Sequence, residues 1–213
     1  MTAMVQVLFA ITKAEAALAA DPIGSLPLQS RRGLWLAFGP VEKAGNRVLL
    51  SKGTLLRSRL AAIAAQLVQQ IWLARWPNDR RPLEMLRLLE EYLAGRLEAQ
   101  SAEHASEAFR NFMDDLDDEY SIHDTDVIAG AAAMFALQTP LYEAALSETY
   151  AKCKSDLDLD PWGWDAGLAA SIAASGGGPW DRKGSVQKRR EFWTQYLQGA
   201  RQVSDAEGES RAR

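Results

Sequence analysis

Residues 54–97, TLLRSRLAAIAAQLVQQIWLARWPNDRRPLEMLRLLEEYLAGRL, decide the fold. Leu56, Leu60, Ile63, Leu67 and Ile71 recur at spacings of three and four, which sets them along one stripe of a helix that Thr54 is placed to cap. Trp76-Pro77-Asn78-Asp79 stops that helix. Pro82 then falls in the first turn of the next, where its missing N–H costs nothing, and Leu86, Leu89, Leu93 and Leu97 continue an apolar face. The connection is short, so the two helices are predicted to pack antiparallel as a hairpin.

Working outward, Val7, Ile11, Ala14 and Leu18 form a helical stripe that Asp21-Pro22-Ile23-Gly24 ends. A second helix is predicted from Gln29 to Phe38, burying Leu34, Trp35 and Phe38, and Gly39-Pro40 breaks it before a loop over 41–53. Downstream, residues 102–120 carry Phe109, Phe112, Met113 and Leu116 at helical spacing. Residues 124–151 are rich in alanine and leucine, with Asp124 or Thr125 as cap and with Gly130, Ala131, Ala132 and Ala133 allowing close helix approach. Pro140 is expected to kink this segment or divide it in two. The turn from Asp160 to Asp165 opens a helix that Gly176-Gly177-Gly178-Pro179 closes, and a last helix over 186–203 buries Trp193, Tyr196, Leu197 and Ala200. No stretch reads as a convincing strand. The expected fold is all-α, a single-domain bundle or short stack of about seven to nine helices over 1–203, with a polar, disordered tail at 204–213.

A chain of 213 residues buries about 70% of its unfolded surface, enough for a core without staples. The lone cysteine, Cys153, precludes an internal disulfide and suits a reducing compartment. The apolar run Val5–Ile11 has no preceding Lys or Arg, and Lys13 and Glu15 follow it, so it reads as the start of an amphipathic helix rather than a signal peptide. No apolar stretch reaches the ~18 residues of a membrane span, and a cytoplasmic protein is expected. A net charge of −4 argues against general nucleic-acid binding, which needs an excess of Lys and Arg to neutralise phosphates.

Site chemistry is sparse. Gly176-Gly177-Gly178 closes a helix instead of opening one after a strand, so it is no phosphate loop. His104, His123 and Cys153 are too scattered for zinc, and the Asp-rich segment lacks the glycine and terminal glutamate of a calcium loop; neither metal nor cofactor is expected. His123, beside Asp124 and Asp126, has the neighbours of a tuned acid or base, though the plainer reading is a helix-start histidine with local hydrogen bonds. Tryptophan occurs seven times, and these are read chiefly as core side chains.

Three blocks resemble one family. The first is Leu26-Pro27-Leu28-Gln29-Ser30-Arg31; the second is Ile71-Trp72, then Trp76-Pro77-Asn78-Asp79 and Pro82, leading to Leu86, Leu93 and Gly95. The third runs Trp164-Asp165-Ala166, Ala170-Ser171, Gly176-Gly177, Trp180, then Lys188-Arg189-Arg190-Glu191-Phe192-Trp193 with Tyr196-Leu197. Together they are similar to the Imm5-type immunity proteins encoded beside bacterial polymorphic toxins. No block is a catalytic signature, and no catalytic residue is nominated; the resemblance implies an all-helical protein that binds one cognate toxin and neutralises it. The motif residues Trp72, Pro77, Asp79, Trp164, Asp165, Gly176, Gly177, Trp180, Arg189, Arg190, Trp193 and Tyr196 are given a structural reading, with Asp165 expected to pair with Arg189 or Arg190 in a partly buried fork.

The acidic run between the second and third blocks departs from the family pattern. Asp114, Asp115, Asp117, Asp118, Glu119, Asp124 and Asp126 are nominated as the partner surface, since toxins that attack nucleic acids are basic and opposite charge would speed encounter; a solvated helix end and loop is the equal alternative. Two other classes remain open: an enzyme that reverses a toxin's modification, with Asp114 and Asp118 on one helix face, and a helical adaptor.

Overall fold

The computed structural model describes residues 3–45, 47–117 and 124–209. Its central elements are α3 (Lys52–Arg75) and α6 (Thr125–Lys152), which pack on each other over most of their lengths. Both are covered on more than one side. In α3, Leu56, Leu60, Ala61, Ala64, Ala65, Val68 and Trp72 are all buried, whereas Leu67 is 39% exposed. The one-stripe reading of Leu56–Ile71 is thus too narrow: small alanines let α3 meet α6, α7 and α8 at once. In α6, every residue from Val127 to Leu137 is buried. Gly130 is required there because a Cβ at that position would lie 2.5 Å from two ring carbons of Trp72.

Local chemistry moves several predicted boundaries. The cap of α3 is Ser51, whose Oγ accepts the Thr54 amide at 3.3 Å; Thr54 sits inside the first turn with its hydroxyl committed elsewhere. Pro140 does not divide α6, which runs on as one helix, with the Thr139 hydroxyl donating to the Phe135 carbonyl at 2.9 Å. The last helix continues past Val203 to Glu209, with Ser204 buried and its Oγ donating to Ala200.

Around this centre, α1 (Ala3–Ala20) turns Val7, Ile11, Ala14 and Leu18 inward against α2 (Leu28–Ala37) and α8 (Val186–Glu209). α4 (Arg81–Leu93) begins with Pro82 in its first turn but lies more against α6 than against α3, so the expected hairpin is looser than a paired one. α5 (Ala99–Asp117) buries Ala102, Phe109 and Met113 beside α4 and α6. α7 (Ala166–Ser175) is almost wholly interior and ends at Gly176, whose φ of 81° is the left-handed conformation a side chain disfavours. Among the described residues the fold is eight α-helices, two short 3-10 turns (Asp156–Asp158 and Pro161–Gly163), and a hairpin pairing Lys43–Ala44 with Arg47–Val48. No described helix is long and apolar enough to cross a membrane.

Candidate functional site

Two buried ion clusters and the cleft between them form the most chemically organised region of the molecule. The first cluster begins with Arg31, which stands on the inward stripe of α2 between Leu28 and Leu34 and has no solvent exposure. A buried guanidinium demands partners on every edge. Nε donates to Asp165 Oδ2 at 3.1 Å, Nη2 to Asp156 Oδ1 at 2.6 Å, and Nη1 to the Leu26 carbonyl at 2.8 Å. The Trp193 ring lies beneath it, 5.4 Å from the guanidinium carbon. Asp165 also caps α7, accepting the Leu168 amide at 2.9 Å on its other oxygen.

One cation thus faces two carboxylates. Burial works against the Arg31 charge, but Asp165 and Asp156 outweigh it and hold the guanidinium firmly protonated. Burial also pushes the Asp165 carboxyl above the usual carboxylate range, Arg31 offsetting only part of that. Tyr150 and Tyr196, interior phenols near the same carboxylates, are raised for the same first reason.

The second cluster joins α3 to α6. Arg57 donates through Nε to Glu143, which also accepts the Thr54 hydroxyl at 2.9 Å. The remaining Arg57 nitrogens reach the carbonyls of Trp35, Gly39 and Pro40, tying the chain after α2 onto α3. Between the clusters opens a narrow, largely apolar cleft of about 70 Å³. Trp35 and Tyr150 stack in its wall at 5.4 Å between centroids, and the Trp35 indole donates to the Tyr196 hydroxyl at 3.1 Å.

The expected pairing of Asp165 with Arg189 or Arg190 is corrected. Asp165 faces α2, and Arg31 takes the place assigned to the later arginines. Arg189, at the start of α8, donates instead to the carbonyls of Ile23, Gly177 and Gly178, and Arg190 to that of Asp21. These contacts tie the turns after α1 and α7 to the start of α8, where loop carbonyls lack helical partners.

Of the other motif residues, Trp72, Trp164 and Trp193 are buried, while Trp180 is 41% exposed and leans on Trp164. Pro77 lies in the turn before α4. Asp79 there accepts the Arg81 amide at 3.0 Å and its guanidinium at 2.9 Å; burial raises its carboxyl, but these bonds win and hold it below the ordinary range. Gly176 ends α7, and the Gly177 carbonyl receives both Ser175 and Arg189.

The nominated acidic residues are only partly in view. Asp114 and Asp115 are exposed near the end of α5, and Asp117 is its last residue. Asp124 is exposed before α6. Asp126 is half-buried, accepting the Val127 amide at 3.0 Å with its second oxygen 3.7 Å from Arg75 Nε. Asp118, Glu119 and His123 lie outside the described residues. Among the described residues, no group of three or more His, Cys, Asp or Glu side chains is placed to hold a metal ion.

Sequence reasoning missed Arg31, Glu143 and Tyr150 as site residues. A signal for the first was present: Leu28, Arg31, Leu34 and Phe38 share one helical stripe, so the arginine stands in an apolar row and has to be paired.

Comparison with curated proteins gives no match. Residues 11–202 match the family described as Immunity protein Imm5. The matched span contains both ion clusters and every residue that lines the cleft, and the chain belongs to the Imm5 family of immunity proteins.

Proposed function

We propose that this chain binds one cognate toxin and keeps it inactive by covering its active site, with no turnover. The observation that carries this reading is where the residues of the family resemblance fall. Arg31, Trp72, Trp164, Asp165, Trp193 and Tyr196 are interior, so the resemblance describes a frame and leaves recognition to the surface. Arg31 is balanced by two carboxylates and Arg57 by Glu143, while buried Arg189 is held by backbone carbonyls, which suits a rigid binding body.

The exposed acidic residues at the end of α5 and the start of α6 act in this scheme as a steering surface for a basic toxin. Site of action is the cytoplasm, where the single thiol of Cys153 remains reduced. The test is co-expression with the product of the neighbouring reading frame, followed by purification of the pair. Rescue of growth with a stoichiometric complex is the expected result; rescue without a complex would favour enzymatic reversal of the toxin's modification instead.

A further inference from the structure

We infer that the cleft between α2, α3, α6 and α7, together with the groove it opens into, receives an apolar segment of the toxin that carries a carboxylate. This rests on the immunity reading above and names the surface that anchors the partner.

The cleft does not stop at its mouth. Leu36, 58% exposed, borders both the cleft and a second groove between α1 and α2, where Phe9 is 66% exposed. Two large apolar side chains thus stand open along one path that leads inward to Trp35 and Tyr150. Single exposed apolar residues need no explanation, but aligned ones that lead into a cavity mark an interaction surface.

Charge fixes the kind of partner. In the cleft, Glu143 and Asp165 are already committed to Arg57 and Arg31, and Arg57 is committed in return. Arg32, half-buried at the mouth, has no ion-pair or hydrogen-bond partner among the described residues, and neither has Lys13, the only charged residue lining the groove. Every uncommitted charge on this path is positive, in a chain whose net charge is −4. The Tyr196 hydroxyl adds a donor: it accepts from Trp35, and no acceptor stands against its own proton among the described residues. Such a lining selects an apolar group with an anion beside it. A small ligand would occupy the cleft alone, whereas a segment of protein chain covers both the cleft and the open groove beyond Leu36, which is why the occupant is assigned to the toxin.

The experiment uses the full chain with Arg32→Glu, Leu36→Ser and Phe9→Ser, each first shown to melt with the wild type, and two readouts. One is titration with 8-anilinonaphthalene-1-sulfonate, an apolar anion that needs no knowledge of the toxin. The other is affinity for the co-expressed toxin. The inference expects Arg32→Glu and Leu36→Ser to weaken the dye by at least roughly tenfold, all three variants to weaken the toxin by at least roughly tenfold, and the toxin to displace the dye. Dye binding indifferent to Arg32 and Leu36 overturns the site. Loss of dye binding with undiminished toxin affinity also overturns it, leaving a small-ligand pocket. Should the wild type neither bind nor neutralise the toxin, the functional reading fails first and the named occupant falls with it; toxin binding that survives all three variants leaves that reading intact and removes only this surface.

Discussion

Arg31 and Asp165, separated by 134 positions in the chain, meet in the interior with Nε donating to Oδ2 at 3.1 Å. Asp156 completes the cluster, so the arginine is the member whose loss leaves two buried like charges without a counterion.

Replacing that arginine is therefore expected to be worse than replacing either acid. Arg31→Met should lower stability by about 3 to 5 kcal/mol near neutral pH. The deficit should shrink on acidification, because protonating one carboxylate relieves the repulsion. Urea unfolding at several pH values checks both statements; a deficit independent of pH would show that the carboxylates do not repel in the fold.

Asp165 can be dissected further. Asp165→Ala removes the α7 cap and leaves Arg31 Nε without an acceptor, an expected loss of about 2 to 4 kcal/mol. That is milder than a lone ion pair would imply, since Arg31 still balances Asp156. Asp165→Asn keeps the cap acceptor and should fall between alanine and wild type.

The raised Asp165 carboxyl gives these variants a pH signature. An acid titrating higher in the folded state contributes stability that is fully present below its unfolded value, about 3.9, and is lost as pH rises through the folded value. Wild type should thus lead Asp165→Asn most at low pH, with the gap narrowing toward neutrality. Melting temperatures from about pH 4 to 7 measure the gap; a gap that widens upward would place the folded value below the unfolded one.

At the α3–α6 crossing, Gly130→Ala drives a Cβ into the Trp72 ring and should cost about 1 to 3 kcal/mol. Trp72→Phe in the same molecule should recover part of that loss. A double-mutant cycle in urea reads the coupling, and strict additivity would mean that the backbone relaxes instead of the ring.

Glu143→Ala leaves the Arg57 charge buried without its carboxylate, with an expected loss of about 3 to 5 kcal/mol. Thr54→Val removes only one hydroxyl donor to the same group and should cost about 1 kcal/mol. Because Arg57 also holds the Trp35, Gly39 and Pro40 carbonyls, hydrogen exchange around residues 38–41 should quicken in Glu143→Ala and not in Thr54→Val.

The helices were legible because their apolar periodicity is local: Val7–Leu18, Pro82–Leu93 and Trp193–Ala200 each declare a face within a few turns. The stripe of α3 was read too narrowly because alanines bury as well as leucines once a helix is enclosed, and periodicity then fades. The continuity of α6 through Pro140 depends on the neighbours packed along that helix, which sequence order does not display. For the site, Asp165 was marked as a buried partner, but its arginine was sought among the nearer residues Arg189 and Arg190. The true partner lies on α2, and only the fold brings it across. Arg32 and Leu36 carry no motif at all; their meaning comes from the cleft they border.

The distance along the chain between Arg31 and its two carboxylates sets an order of events during synthesis. Arg31 leaves the ribosome while Asp156 and Asp165 are still to be translated, so α2 waits with an unanswered cation in its inward face. It cannot seal against the core in that interval without burying an unpaired charge. α8, which closes over α1, arrives later still. Native packing of the earliest helices therefore waits until Asp165 and α8 have been made, and the first helices to emerge are among the last to settle.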